Sequence, residues 1–374
     1  MSRPAEGGGA GRALRVEDDG AVRHLVLCRP DEYNTITPAL RDELGAALDE
    51  ADRDDAVRVV LLRAEGPAFC AGFGLDWSTA APGSGAAPDP GPGSASGETS
   101  GSGSASGEAP GSGTASGEIP GSGTASGSAS NETSGSGSAS GEAAGGRVWD
   151  TVADVRMISR FGNTFAKLHG ISKPTVAAVQ GWCIAGGTDM VLNADIIVAG
   201  ESARFGYPPA RVWGVPEAPW VWVARLGLER AKRYLFTGDE LTGAEAAAAG
   251  MVLECVPDAE LQDRARALAQ RMALLPLNQL QMMKWALNDV ARHQYQPDTS
   301  RLLGFIFDGV ARHTQEGLDF VARANEVAWR QAVRERDRPF GDYGERPRPG
   351  ADSAGGAGNT GGAADATEAT DAGA

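Results

Sequence analysis

Residues 180–189 read Gln-Gly-Trp-Cys-Ile-Ala-Gly-Gly-Thr-Asp, a glycine pair at the head of a helix-forming run that opens with an acid. Adjacent glycines let a backbone turn sharply and approach a ligand with no side chain in the way. The first amides of the following helix have no intrahelical partner and favour negative charge. That suits the oxygen of a carbonyl becoming an enolate, although a lone glycine pair at a strand-to-helix junction is more often a tight turn. A second corner lies upstream. Val57 to Leu62 is a largely β-branched, apolar run fit for a buried parallel strand. The chain then turns at Gly66-Pro67, and Phe69-Cys70-Ala71-Gly72-Phe73 makes a second glycine-containing corner. Two strand-ending corners, each offering one backbone N–H, are what an oxyanion hole for a thioester carbonyl requires.

Further motifs accompany these corners: Asp76 after the first, Lys173-Pro174 ahead of a strand, Ala194-Asp195-Ile196-Ile197-Val198-Ala199, and Ala203-Arg204-Phe205-Gly206. With them the chain resembles the crotonase family, also called the enoyl-CoA hydratase/isomerase family. The resemblance implies an α/β fold, a crotonase-like ββα spiral over residues 13–79 and 147–258, with a C-terminal helical region over 259–348. It implies that Phe73 and Gly186 supply the oxyanion-hole amides and that Ala71, Gly74, Leu75 and Asp76 bind substrate. The ligand would be an acyl-CoA thioester. No separate cofactor is implied, because CoA is carried by the substrate. In this family the C-terminal helices pack trimers, which implies a homotrimer or a dimer of trimers; periodicity alone fits equally well a role in covering their own core.

The acid–base residues depart from the family pattern. Hydratases of this kind use two glutamates flanking the double bond. Asp189 stands at the first position, one methylene shorter in reach, and its other reading is an acid stabilised by the helix dipole. Pro209, within Tyr207-Pro208-Pro209-Ala210, stands at the second, and proline cannot transfer a proton. A third carboxylate, Glu217 in Gly214-Val215-Pro216-Glu217-Ala218, matches the acid of several isomerase and dehalogenase branches. Beside Val215, Ala218, Pro219 and Trp220, desolvation would raise its pKa toward neutrality, unless it is simply a solvated loop residue. Trp182, Trp213, Trp220 and Trp222 are candidates to shape an acyl pocket or to fill core. The expected catalytic residues are therefore Glu217 and Asp189. The expected enzyme is an enoyl-CoA hydratase/isomerase; its rivals are a thioester or C–C bond hydrolase on the same scaffold and a non-catalytic acyl-CoA-binding homologue.

Residues 80–146 contain no Lys, Arg, Leu, Val, Phe, Trp or Tyr and repeat a Gly-Ser/Thr-Ala-Ser-Gly pattern. So little apolar surface cannot offset ordering entropy, and this insertion is expected to be disordered, as are residues 1–12 and 349–374. The insertion holds six acids and no base, and the tail holds four acids, out of a formal net charge of −15. The remainder is thus only mildly acidic, which argues against a nucleic-acid surface. Arg29 and Arg63, near strand ends, are candidates to meet CoA phosphates. No apolar run reaches the roughly 18 to 20 residues of a membrane helix, and no secretory signal is visible, so a cytoplasmic enzyme is expected. Cys28, Cys70, Cys183 and Cys255 lack any CxxC spacing, and the four histidines lack metal spacing, so buried thiols and no metal are expected.

Strand and helix patterns alternate. Strands are expected at Val22 to Cys28, Val57 to Leu62, Thr175 to Gln180 and Ile196 to Ala199. Helices are expected at 38–52 with Thr37 as N-cap, at 151–169 with Val152, Val155, Ile158, Phe161 and Phe165 on one face, at 186–193, at Leu261 to Leu275 and at Asn278 to Val290. Repeated β–α units imply a largely parallel sheet.

Overall fold

A computed structural model describes residues 12–74 and 151–341. Leu75, Asp76, the 80–146 insertion and both terminal segments lie outside the described residues.

The chain opens with a hairpin, β1 (Leu14–Asp19) and β2 (Val22–Leu27), and then helix α1 (Pro38–Arg53). Thr37 caps that helix, its hydroxyl accepting the Leu40 N–H, with Pro38 in the first turn. Next come β3 (Val59–Ala64), β4 (Ala68–Cys70) and α2 (Thr151–Gly170). The pattern strand, short strand, helix then repeats as β5 (Thr175–Val179), β6 (Trp182–Ile184) and α3 (Gly186–Val191). A third turn follows with β7 (Ile196–Gly200), β8 (Arg204–Gly206), α4 (Pro219–Leu226) and α5 (Leu228–Thr237). After β9 (Leu241–Thr242), α6 (Gly243–Ala249) and β10 (Glu254–Val256), the rest is helical: α7 (Asp258–Met272), α8 (Leu277–Tyr295), α9 (Pro297–Ala311), α10 (Gln315–Val327) and α11 (Trp329–Asp337).

The strands sort into two sheets. One runs β1-β2-β3-β5-β7-β10, with every pairing parallel except the β1–β2 hairpin. The other runs β4-β6-β8-β9, with β4, β6 and β8 parallel. Each spiral turn therefore contributes one long strand to the first sheet and one short strand to the second, as the resemblance implied. The main core lies between the sheets and helices α1 to α4, around Leu25, Leu44, Phe69, Phe165, Phe205 and Trp222. Strand residues of opposite parity (Val59, Leu61, Val176, Val198) pack against Leu261, Ala265 and Ala269 of α7 on the other face.

Expected and observed elements coincide within a few residues. Of the face read on α2, Ile158, Phe161 and Phe165 are buried, whereas Val155 is half-buried and Val152 is exposed. Cys70 and Cys183 are buried, but Cys28 and Cys255 are only half-buried, so the expectation of four buried thiols holds for two.

Candidate active site

Strands β4 and β6 are parallel neighbours, with Cys70 opposite Cys183. The segments that leave them, Ala71-Gly72-Phe73 and Ala185-Gly186, consequently emerge side by side. Gly72 has φ 90°. A methyl group there would lie 3.0 Å from Ala185 Cβ and 3.7 Å from the Gly186 nitrogen. A methyl on Gly186 would come within 2.5 Å of the Phe73 ring, and one on Gly187 within 2.6 Å of the Cys70 carbonyl oxygen. Only glycine permits this approach of the two corners. Phe73 and Gly186 are thus brought together. Ala185, heading α3, holds φ 52° and ψ −125°. Such a conformation costs a residue with a Cβ about 1–3 kcal/mol and persists where the surroundings impose it; here the Ala185 N–H donates to Gly206 at 2.9 Å.

The first corner hangs on the loop before α1. Ala71 N–H donates to Tyr33 O (3.0 Å), Ile36 N–H to Gly72 O (2.9 Å) and Gly74 N–H to Ile36 O (3.1 Å). The backbone amides of Ala71 and Gly74 are therefore committed to the fold. Buried Asn34, at φ 50°, donates through Nδ2 to the carbonyls of Glu65 and Ala68, both at 2.9 Å. Sequence reasoning did not single out Asn34. The signal was its position before the Thr37 cap, where an asparagine tolerates a left-handed turn.

Both candidate acids are buried, Asp189 at 1% exposure and Glu217 at 2%. Asp189 sits in the first turn of α3, and Glu217 in the loop between β8 and α4. The Glu217 N–H donates to Asp189 Oδ1 at 3.1 Å. Asp189 Oδ2 and both carboxyl oxygens of Glu217 have no hydrogen-bond partner among the described residues. The solvated-loop reading of Glu217 does not survive this burial, whereas Asp189 still lies in the first turn of α3, where the helix dipole acts on it. Desolvation raises both carboxyls well above their usual range, and for Glu217 the charges of Asp189 and Asp308 push the same way, against Arg312. For Asp189 the Glu217 N–H and the nearby Tyr207 hydroxyl partly offset burial. Tyr207 gives its single proton to Val215 O at 3.0 Å, so it acts on Asp189 by proximity.

Helices α2 and α9 close over Glu217. A methyl on Gly162 of α2 would lie 2.6 Å from Glu217 Oε2 and 2.3 Å from the Phe305 ring of α9. A methyl on Gly304 would meet Pro216 O at 2.6 Å and Glu217 O at 2.9 Å. Asp308, one turn beyond Gly304, is buried and pairs with Arg312, Nε to Oδ2 at 3.1 Å. None of Gly162, Phe305, Asp308 and Arg312 was foreseen. The spacing Gly304, Asp308, Arg312 along one helix face was their only trace.

Other candidates lie elsewhere. Trp213 packs on Phe320 (5.2 Å between centroids), and Trp220 faces His169 and Tyr295. Trp222 is fully buried and packs edge-on against Tyr207, 6.5 Å between ring centroids. Trp220 instead lines a cavity of about 500 Å³ with Leu192, Ile196, Met272 and the Lys284–Asp195 pair, and neither Asp189 nor Glu217 borders it. Arg63 is held by Glu17 and His24. Arg29 pairs with Glu32 and reaches the Thr37 hydroxyl, close to the loop that carries the first corner.

Comparison with known proteins bears on the family and the fold. A family model described as enoyl-CoA hydratase/isomerase matches residues 17–85 and 139–331, passing over 86–138. The chain is 24% identical over 270 residues to 1,2-epoxyphenylacetyl-CoA isomerase of Escherichia coli, covering 71% of this chain and 78% of that protein. It is 35% identical over 123 residues to a probable mitochondrial enoyl-CoA hydratase of Dictyostelium discoideum, a match spanning only 44% of the latter. The fold superposes on the crystal structure of an enoyl-CoA hydratase from Mycobacterium smegmatis with a TM-score of 0.69 and 36% identity, covering 90% of this chain and 97% of that one.

Proposed function

The chain belongs to the enoyl-CoA hydratase/isomerase family, and from that premise we propose that it is an acyl-CoA enzyme whose principal proton carrier is Glu217, working as a double-bond isomerase. The reading rests on one observation: a fully buried carboxyl with neither oxygen hydrogen-bonded among the described residues, beside a second buried acid. Burying such a group without partners costs stability, and active sites are where folds retain that cost. The backbone amides of Phe73 and Gly186 are proposed to hold the thioester oxygen, with Ala71, Gly74, Leu75 and Asp76 along the substrate. Ionised Glu217 removes a C2 proton from a 3-enoyl thioester. The electrons move onto the thioester oxygen as a dienolate, and Glu217 returns the proton at C4 to leave the conjugated 2-enoyl product. Pro209, where hydratases of this kind carry a second glutamate, favours one carrier over two.

Hydration is the second reading, and Asp189 Oδ2, buried with no hydrogen-bond partner among the described residues, favours it as a place to hold a water. The experiment that separates them follows the conjugated-thioester absorbance. A rise with 3-enoyl-CoA supports isomerisation, and a fall with 2-enoyl-CoA supports hydration. A protein that binds both and changes neither would refute the proposal.

CoA would arrive with the substrate, and Arg29 is the better placed of the two arginine candidates for its phosphates. The C-terminal helices are proposed to pack a homotrimer or a dimer of trimers. Exposed Met282, Met283, Trp285, Leu287 and Val290 on α8, with Leu302, Leu303 and Phe307 on α9, support that reading.

A further inference from the structure

The C-terminal helix α9 places charge against the loop that carries Glu217. Gly304 lets the helix touch the Glu217 backbone, its position lying within methyl-contact distance of both Pro216 O and Glu217 O. One turn later, Asp308 Oδ1 stands 3.6 Å from where a methyl on Gly214 would be, three residues ahead of Glu217. Asp308 Oδ2 takes the Arg312 guanidinium at 3.1 Å, with both side chains largely buried. Beyond Arg312, His313 of the same helix end pairs with Asp154 of α2. Among the described residues the charges that act on Glu217 are those of Asp189 from α3 and of Asp308 and Arg312 from α9, and Tyr207, from the segment after β8, in turn feels the charge of Glu217. From α2 the facing residue is Gly162, which carries no charge.

Three carboxyls and one guanidinium share this buried volume. Two unpaired carboxylates cannot both stay ionised in low dielectric, so the guanidinium decides which acid keeps its charge. We propose that Asp308, clamped to Arg312 on the helix that closes over the Glu217 loop, is a positioning residue that keeps the guanidinium away from Glu217 and so selects its charge state. The proposal rests on Glu217 being the proton carrier, but its test reads Glu217 directly.

The test is a carbon-13 NMR titration of glutamate-labelled protein, with the Glu217 carboxyl signal assigned by its loss in Glu217→Gln. In Asp308→Asn one negative neighbour is gone and Arg312 is released towards the cluster, so Glu217 should titrate about one pH unit or more lower than in the wild type. Arg312→Met should shift it upward, and Asp308→Glu, which retains the pair, should restore the wild-type midpoint. Thermal unfolding verifies that each variant is folded before it is titrated. An unmoved Glu217 midpoint in folded Asp308→Asn would overturn the proposal, as would a shift that Asp308→Glu reproduces. A moved midpoint in a protein that turns over no enoyl-CoA would instead refute the functional reading and leave this one standing.

Discussion

The Glu217 N–H donates to Asp189 Oδ1 at 3.1 Å, tying the loop before α4 to the first turn of α3. The same α3 begins at Gly186, so the proposed amide donor and both carboxyls are fixed to one short helix and its partner loop. A bond from a backbone amide leaves the Glu217 carboxyl itself uncommitted, which is the state a proton carrier needs.

Glu217→Gln keeps size while removing the carrier. Turnover on the best enoyl-CoA should fall about 10²- to 10⁴-fold. Acyl-CoA affinity, measured by calorimetry, should persist. Asp189→Asn retains an acceptor for the Glu217 N–H and should cost much less if isomerisation is the reaction. An equal or larger loss in Asp189→Asn would favour hydration.

The raised carboxyls carry a pH signature in stability. Between its ordinary value of 4.5 and its higher folded value, Glu217 binds its proton in the folded state and has lost it in the unfolded one. Its stabilisation is therefore complete below about pH 4.5 and disappears as pH rises through the folded value. Glutamine is always neutral, so Glu217→Gln should raise Tm progressively relative to wild type as pH climbs above the ordinary glutamate value of 4.5 towards the higher folded value. A Tm difference independent of pH would mean that Glu217 is solvated.

The corner geometry is testable through Gly181. It has φ 55°, and a methyl there would fall 1.8 Å from the Pro67 carbonyl oxygen. Gly181→Ala should destabilise the protein by about 2–4 kcal/mol in urea unfolding. Gly20, at φ 61° with nothing near its methyl position, is the control, and its alanine variant should lose less.

The exposed α8 residues predict self-association. Light scattering should find a mass of three or six chains. Trp285→Glu with Leu287→Glu should reduce it to one chain while the far-ultraviolet circular dichroism is retained. A monomeric wild-type protein would refute the trimer reading.

Much of the spiral was legible because buried parallel strands carry apolar runs such as Val59 to Leu62 and Ile196 to Ala199, and because Thr37-Pro38 marks a helix start. The three-residue strands β4, β6 and β8 were not, since a period of two cannot be recognised in three residues. The corner glycines and Glu217 were legible as local motifs. Asp308 and Arg312 were not, because their role comes from a tertiary contact made by α9 with a loop remote in sequence. The gap in the family match at 86–138 falls within the segment that composition alone marked as an insertion. That segment stood out because it lacks the apolar residues a core requires.

The most direct measurement of the central claim is hydrogen exchange into a bound acyl-CoA in D₂O, followed by proton NMR of the C2 position. If Glu217 carries the proton, the wild-type protein should exchange C2 hydrogen, and Glu217→Gln should do so at least about 10²-fold more slowly while binding the same ligand. Equal exchange rates in the two proteins would contradict the assignment of Glu217 as the proton carrier.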